Sequence, residues 1–154
     1  MILTPHMLAG AAIGAKIHNL WAIFILATAL HFLFDRLPHW EYLNNGLEEL
    51  RGKKFIIFLS KSLIDLAVGG IIIWWLFGSS PLWLYIFFGT FVSILPDGLV
   101  FLNRVSGQRI KILRQYCLSH KKLHIPKNKN PRVWGVAIES ALVILLFYFL
   151  LNLN

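Results

Sequence analysis

His31, Asp35 and His39 follow one another at four-residue intervals in the stretch HFLFDRLPHWEY, where an apolar run gives way to a polar loop. Positions i and i+4 of a helix share one face, a turn apart, so His31 and Asp35 offer an imidazole and a carboxylate together. Pro38 is expected to end that helix and to swing His39 back over the same face. Imidazole with carboxylate is the donor set of borderline and hard divalent ions: zinc first, with manganese, iron or magnesium as alternatives. A second pair, His120 and His124, repeats the spacing by which one helix offers two imidazoles to one ion.

The acids sharpen this expectation. The chain has seven, and four of them (Asp35, Asp65, Asp97 and Glu139) lie in or at the ends of apolar segments. An ionisable group inside a bilayer costs about 2.5–3.5 kcal/mol on insertion scales, and such groups face a partner or an interior cavity. Together with His6, His31 and His39 they point to one shared polar site. Taken singly, each residue has a plainer reading. Asp65 can pair with Lys61 one turn earlier, and Glu139 can bind a neighbouring helix. His120 and His124 can be surface residues of the Lys-rich SHKKLH, and the 31–39 stretch can be a capped helix end. Together the candidates exceed one four-ligand shell, so the expectation is two ions, or one ion with supporting partners and a base.

The elements that must position these groups are membrane helices. Of 154 residues 57% are hydrophobic and 14% charged, with six Trp and twelve Phe, against about 45–50% and 25% in soluble domains. The single cysteine, Cys117, excludes an internal disulfide framework. No cleavable signal peptide is expected, because MILTPHMLAG lacks a basic leader and Lys16 interrupts the apolar run. Four segments approach the ~20 residues that cross a bilayer: 20–37, 55–77, 82–102 and 133–151. A shorter small-residue stretch, 6–17, carries Gly10 and Gly14 at i and i+4, which permits close helix approach. The fold class expected is therefore all-α, an integral membrane bundle of four spanning helices plus a short N-terminal helix, in one domain over 1–154. Pro96 is expected to kink or end the third span before Asp97. A short interfacial helix is expected over 44–54 and another over 110–124.

Basic residues suggest an orientation. Thirteen of the fifteen Lys and Arg fall in 36–54 and in the acid-free 103–131 loop with its flank to Arg132. The positive-inside rule makes both loops cytoplasmic, together with the N-terminus. His6, Asp35, His39, Asp97, His120 and His124 then share one surface, with His31 a turn deeper and Asp65 and Glu139 further in. The net charge of +8 fits membrane lipids as partners; nucleic acid is not expected, since no aromatic platform interleaves the basic run. A weak internal echo relates His6–Asp35 to Asp65–Asp97, each passing from a small-residue helix start through an apolar hairpin to an Asp beside a Pro, and suggests a two-fold repeat.

TPHMLAGAAIG, HFLFDRLPHWEY, ILPDGL and the late histidine pair together resemble the integral-membrane metal-dependent hydrolases that include the LexA-regulated inner-membrane type. A remoter similarity is to the helical zinc-dependent phospholipase C fold. The resemblance covers nearly the whole chain and implies a metal centre in a helical bundle that hydrolyses a phosphoester. His6, His31, Asp35, His39 and Asp97 match the polar signatures; His120, His124, Asp65 and Glu139 match loosely. Leu99 stands where a second Asp would follow Asp97.

The resulting expectation is a membrane-embedded hydrolase of a lipid or membrane-bound phosphoester, in a bacterial inner membrane. Metal ligands are drawn from His6, His31, Asp35, His39, Asp97, His120 and His124; Asp65 or Glu139 serves as general base. Arg36, Lys121 and Lys122 receive the phosphate. The competing expectation is a non-enzymatic membrane protein, a small ion or metal carrier or a scaffold subunit, with its polar residues strung through the bilayer depth.

Overall fold

The structure, a computed structural model, describes residues 2–39, 53–123 and 131–153. Among the described residues it is all helix: α1 (Leu3–Lys16), α2 (Leu20–Phe34), α3 (Lys53–Phe77), α4 (Trp83–Val105), α5 (Lys111–Leu123) and α6 (Pro131–Leu151). Helices α3 and α4, and α6 from Trp134 to Leu151, are long and apolar enough to cross a membrane, which makes this a membrane protein by length and composition. Helix α2 is apolar but shorter than the expected 20–37 segment, since Asp35 already caps it.

The short helix α1 is the centre of the bundle. It packs most extensively on α4 and also touches α3, α6 and α2, and ten of its fourteen residues are buried. Small side chains explain how it fits there. A Cβ placed on Gly10 would stand 2.2 Å from the Gly89 carbonyl oxygen, and one on Gly14 would stand 2.2 Å from that of Tyr85. The backbones of α1 and α4 therefore touch along an antiparallel seam, the close approach that small residues permit between membrane helices. Around α1 the core is Met7, Leu8, Ala11, Ile73, Leu76, Phe77, Ile86 and Leu150.

The outside is inverted relative to a water-soluble protein. Trp21, Trp74, Trp75, Ile71, Ile144 and Tyr148 are all more than 60% exposed. Exposed apolar surface on this scale needs lipid to cover it. Trp21, Trp74, Trp75, Trp83 and Tyr148 lie toward the bundle end opposite His31 and Asp35, as an aromatic belt at one interface would.

Local signals set the helix ends. Asn19 caps α2 by accepting a 3.0 Å hydrogen bond from the Ala22 N–H. Pro96 does not end its helix: α4 runs through it to Val105, as prolines can where neighbouring helices satisfy the freed backbone groups. After Ser106 the chain turns at Gly107 (φ 65°), with Gly107 N–H bonded to the Arg104 carbonyl and Gln108 N–H to that of Asn103. This paired bonding closes a helix through a left-handed residue and sends the chain into α5. The expected 110–124 helix is thus present as α5; the one expected over 44–54 falls almost wholly outside the described residues.

Candidate metal centre

Three helices each bring a piece of one buried cluster. The last turn of α2 supplies His31 and its cap Asp35, α4 supplies Asp97 just past Pro96, and α5 returns over the bundle end to supply His120. One ligand atom from each of these four residues lies within 4.8 Å of all the others. His31 Nε2 is 3.1 Å from Asp35 Oδ2, 3.9 Å from Asp97 Oδ1 and 3.4 Å from His120 Nε2. His120 Nε2 is 3.8 Å from Asp35 Oδ2 and 4.0 Å from Asp97 Oδ1.

Those separations have a chemical meaning. Bonds of about 2.1 Å in a tetrahedron put ligand atoms about 3.4 Å apart, so 3.1–4.0 Å is the spacing of donors around one small cation. The types agree as well: two imidazole nitrogens and two carboxylate oxygens, with no sulfur, suit a borderline or hard divalent ion. Asp97 Oδ2 is buried and has no hydrogen-bond partner, as a carboxylate prepared for a ligand would be. A buried cluster of His and Asp can hold a metal ion.

The support around the cluster is of the kind metal sites use. His31 Nδ1 is 2.8 Å from the Ser93 carbonyl oxygen. A carbonyl only accepts, so Nδ1 carries the proton and Nε2 presents its lone pair to the cluster. His6, on α1, approaches Asp35 from the other side, with Nε2 3.4 Å from Oδ1 and its ring 4.2 Å from that of His31. His6, His31 and Asp35 are each about 1% exposed, whereas the Asp97 side chain is 13% exposed. The cluster is closed toward the bundle and opens beside Asp97.

Other sequence candidates fall elsewhere. Asp65 accepts from the N–H groups of Leu3 and Thr4 and from the Thr4 hydroxyl, and Glu139 accepts from Ile2 N–H at 3.1 Å. Two carboxylates from α3 and α6 thus hold the N-terminus of α1, whose unpaired amides and positive dipole end favour anions. His39 is half-exposed, its Nδ1 2.7 Å from the Leu37 carbonyl oxygen, and stands outside the four-residue group. His124 lies outside the described residues. Arg36, Lys121 and Lys122 are exposed, the two lysines directly following buried His120.

Two participants escape a reading by ligand type. The Ser93 carbonyl carries no side-chain signal, although Pro96 three residues on marks the place. Tyr116, one turn before His120, has its ring 5.8 Å from the imidazole and a buried hydroxyl without a partner. Burial, and then the field of Asp97, push its phenol above the ordinary value.

Comparison with protein-family models, with curated proteins and with solved structures finds no match for this chain. The residues themselves carry the functional reading.

Proposed function

We propose that the protein is a membrane-embedded, metal-dependent hydrolase acting on a phosphoester in a lipid or membrane-associated substrate. One observation carries the reading: four donor atoms from three helices converge at tetrahedral spacing, at the bundle end where the basic segments gather. One divalent ion fits the donor count, with zinc as the first choice. His31, Asp35, Asp97 and His120 would hold it, and His6 would steady Asp35 from behind. When bound, such an ion lowers the pKa of a coordinated water and polarises a phosphoryl oxygen.

The remaining work falls to the chain. Asp97, whose side chain is 13% exposed and the most open of the four, could take a proton from an attacking water through the oxygen that the ion leaves free. Exposed Arg36, Lys121 and Lys122 would line that open edge and meet the phosphate. Asp65 and Glu139, engaged on the α1 terminus, are left to hold α1 in place. The motif resemblance to membrane hydrolases points to the same reaction class.

The proposed topology has four crossings, α2 joining α3, α4 and α6, with α1 packed among them. Fifteen residues of α2 reach about 22 Å, so the fourth crossing needs its flanks or a thinned bilayer. By the positive-inside rule the basic segments favour a cytoplasmic metal end, and the proposed membrane is a bacterial inner membrane. The α1–α2 and α3–α4 hairpins each deliver one Asp to the cluster, Asp35 and Asp97, in keeping with a two-fold repeat.

A second reading is favoured by a specific feature of the site. Four protein donors fill a tetrahedral shell, which is how structural metal sites are built. A metal-holding scaffold or carrier subunit would use the same cluster. The test measures metal content of the purified protein, then hydrolysis of a chromogenic phosphodiester and of phospholipid vesicles. His31→Ala and Asp35→Ala are the controls. The hydrolase reading expects stoichiometric metal and turnover, both lost in the variants. Metal without turnover of any ester supports the scaffold, and wild type that takes up no zinc or manganese ends both.

A further inference from the structure

Helix α5 is joined to the cluster by its single buried residue, His120, which meets His31 and Phe32 of α2, and it packs chiefly on α4. Leu113, Tyr116 and Cys117 are half-buried on the same side. The opposite face holds Lys111, Arg114, Lys121 and Lys122, all exposed, with Leu118 among them at 59% exposure. Ile112, 77% exposed, and Leu123 lie three turns apart along one flank. No acid occurs between Asp97 and Glu139, whereas nine Lys and Arg do.

Position decides what meets this face. Helix α4 can cross a membrane and ends at Val105. The turn at Gly107 leaves only Ser106–Ile110 before α5 begins, so α5 starts close to the end of a spanning helix, where head groups would lie. A basic helix with bare Ile and Leu between its cations matches an anionic lipid surface, which offers phosphate to the cations and acyl chains to the apolar side chains. A nucleic-acid backbone would leave Ile112 and Leu118 in water.

We propose that α5 seats on an anionic leaflet through Lys111, Arg114, Lys121, Lys122, Ile112 and Leu118, and that this seating holds His120 in the metal centre. Only the second half rests on the metal-centre reading. Lipid charge and metal affinity are then coupled, and by linkage each strengthens the other.

The test uses the full chain in nanodiscs of phosphatidylcholine, alone or mixed with phosphatidylglycerol. The first readout is maleimide labelling of Cys117 without metal, since this thiol is on the α4-facing side and is the chain's one cysteine. The second is zinc affinity in a Cys117→Ser background. Labelling is expected to slow several-fold in the anionic discs. High salt, or Lys111→Gln with Arg114→Gln, should erase that contrast. Zinc is expected to bind about tenfold more tightly in anionic discs, and by much less in the double variant, which experiences the same surface potential. Equal labelling in both lipids, or a contrast that survives in the double variant, overturns the lipid seat. A labelling contrast with lipid-independent zinc affinity overturns the coupling. Absence of zinc binding in either lipid, with the labelling contrast intact, removes the metal centre and the coupling while the lipid seat stands.

Discussion

His31 Nδ1 lies 2.8 Å from the backbone carbonyl oxygen of Ser93, and this contact orients the candidate metal centre. It ties the end of α2 to the middle of α4 and fixes the tautomer of His31. The lone pair of Nε2 is thereby aimed at Asp35, Asp97 and His120. The arrangement places the burden of affinity on side chains from α2, α4 and α5, and each can be removed separately.

Loss of a donor should cost more than loss of a support. Asp35→Ala is expected to abolish measurable zinc binding in isothermal titration. His6→Ala, which removes only the imidazole behind Asp35, should weaken zinc about 10–100-fold without abolishing it. Equal loss in the two variants would make His6 a ligand.

Asp65 separates the architectural acids from the metal site. Asp65→Ala removes the acceptor of the Leu3 and Thr4 amides and is expected to destabilise the fold by about 2 kcal/mol. That should be visible as a lower unfolding midpoint in detergent. Zinc affinity of the folded protein should stay within about twofold, since stability and affinity here depend on different contacts. A variant of normal stability that no longer binds zinc would return Asp65 to the site.

The α1–α4 seam predicts a contrast between two glycines. Gly10→Ala puts a methyl group against the Gly89 carbonyl, which cannot yield without parting the helices. A loss of about 2 kcal/mol or more is expected in chemical or thermal unfolding. Gly70→Ala meets nothing within 4 Å and should be neutral or stabilising by up to ~1 kcal/mol, as Ala is the better helix former.

Cys117 should respond to pH in a defined direction. Burial pushes its thiol up, against smaller opposing contributions from Asn103 and Arg104. A raised pKa leaves less thiolate at any given pH. Iodoacetamide alkylation at pH 8 is therefore expected to be slower than for a free thiol, and to climb at a higher pH than in an unfolded control. Coincident pH profiles for the folded and unfolded protein would rule out the buried setting.

Much of this was legible in the residues. The apolar runs marked 55–77, 82–102 and 133–151, and α3, α4 and α6 lie there because a run of that length can satisfy its backbone in lipid only by being helical. Gly10 and Gly14 marked a close-packing helix for the same elementary reason of size. His31 and Asp35 were paired by helical period alone, and α2 pairs them.

Tertiary structure decided the rest. Sequence spacing could place Asp65 and Asp97 alike at polar positions in apolar helices. Only packing sent Asp65 to the α1 amides and Asp97 to the histidines. By sequence His39 was the favoured partner for His31, and His120 the looser match. The Schellman turn at Gly107 brings His120 back over the bundle end, while the chain after Asp35 leaves His39 on the Leu37 carbonyl. Local sequence carries the period of a helix and the chemistry of a side chain. Which helix faces meet is set by long-range contacts, above all by the glycine seam that seats α1 in the middle.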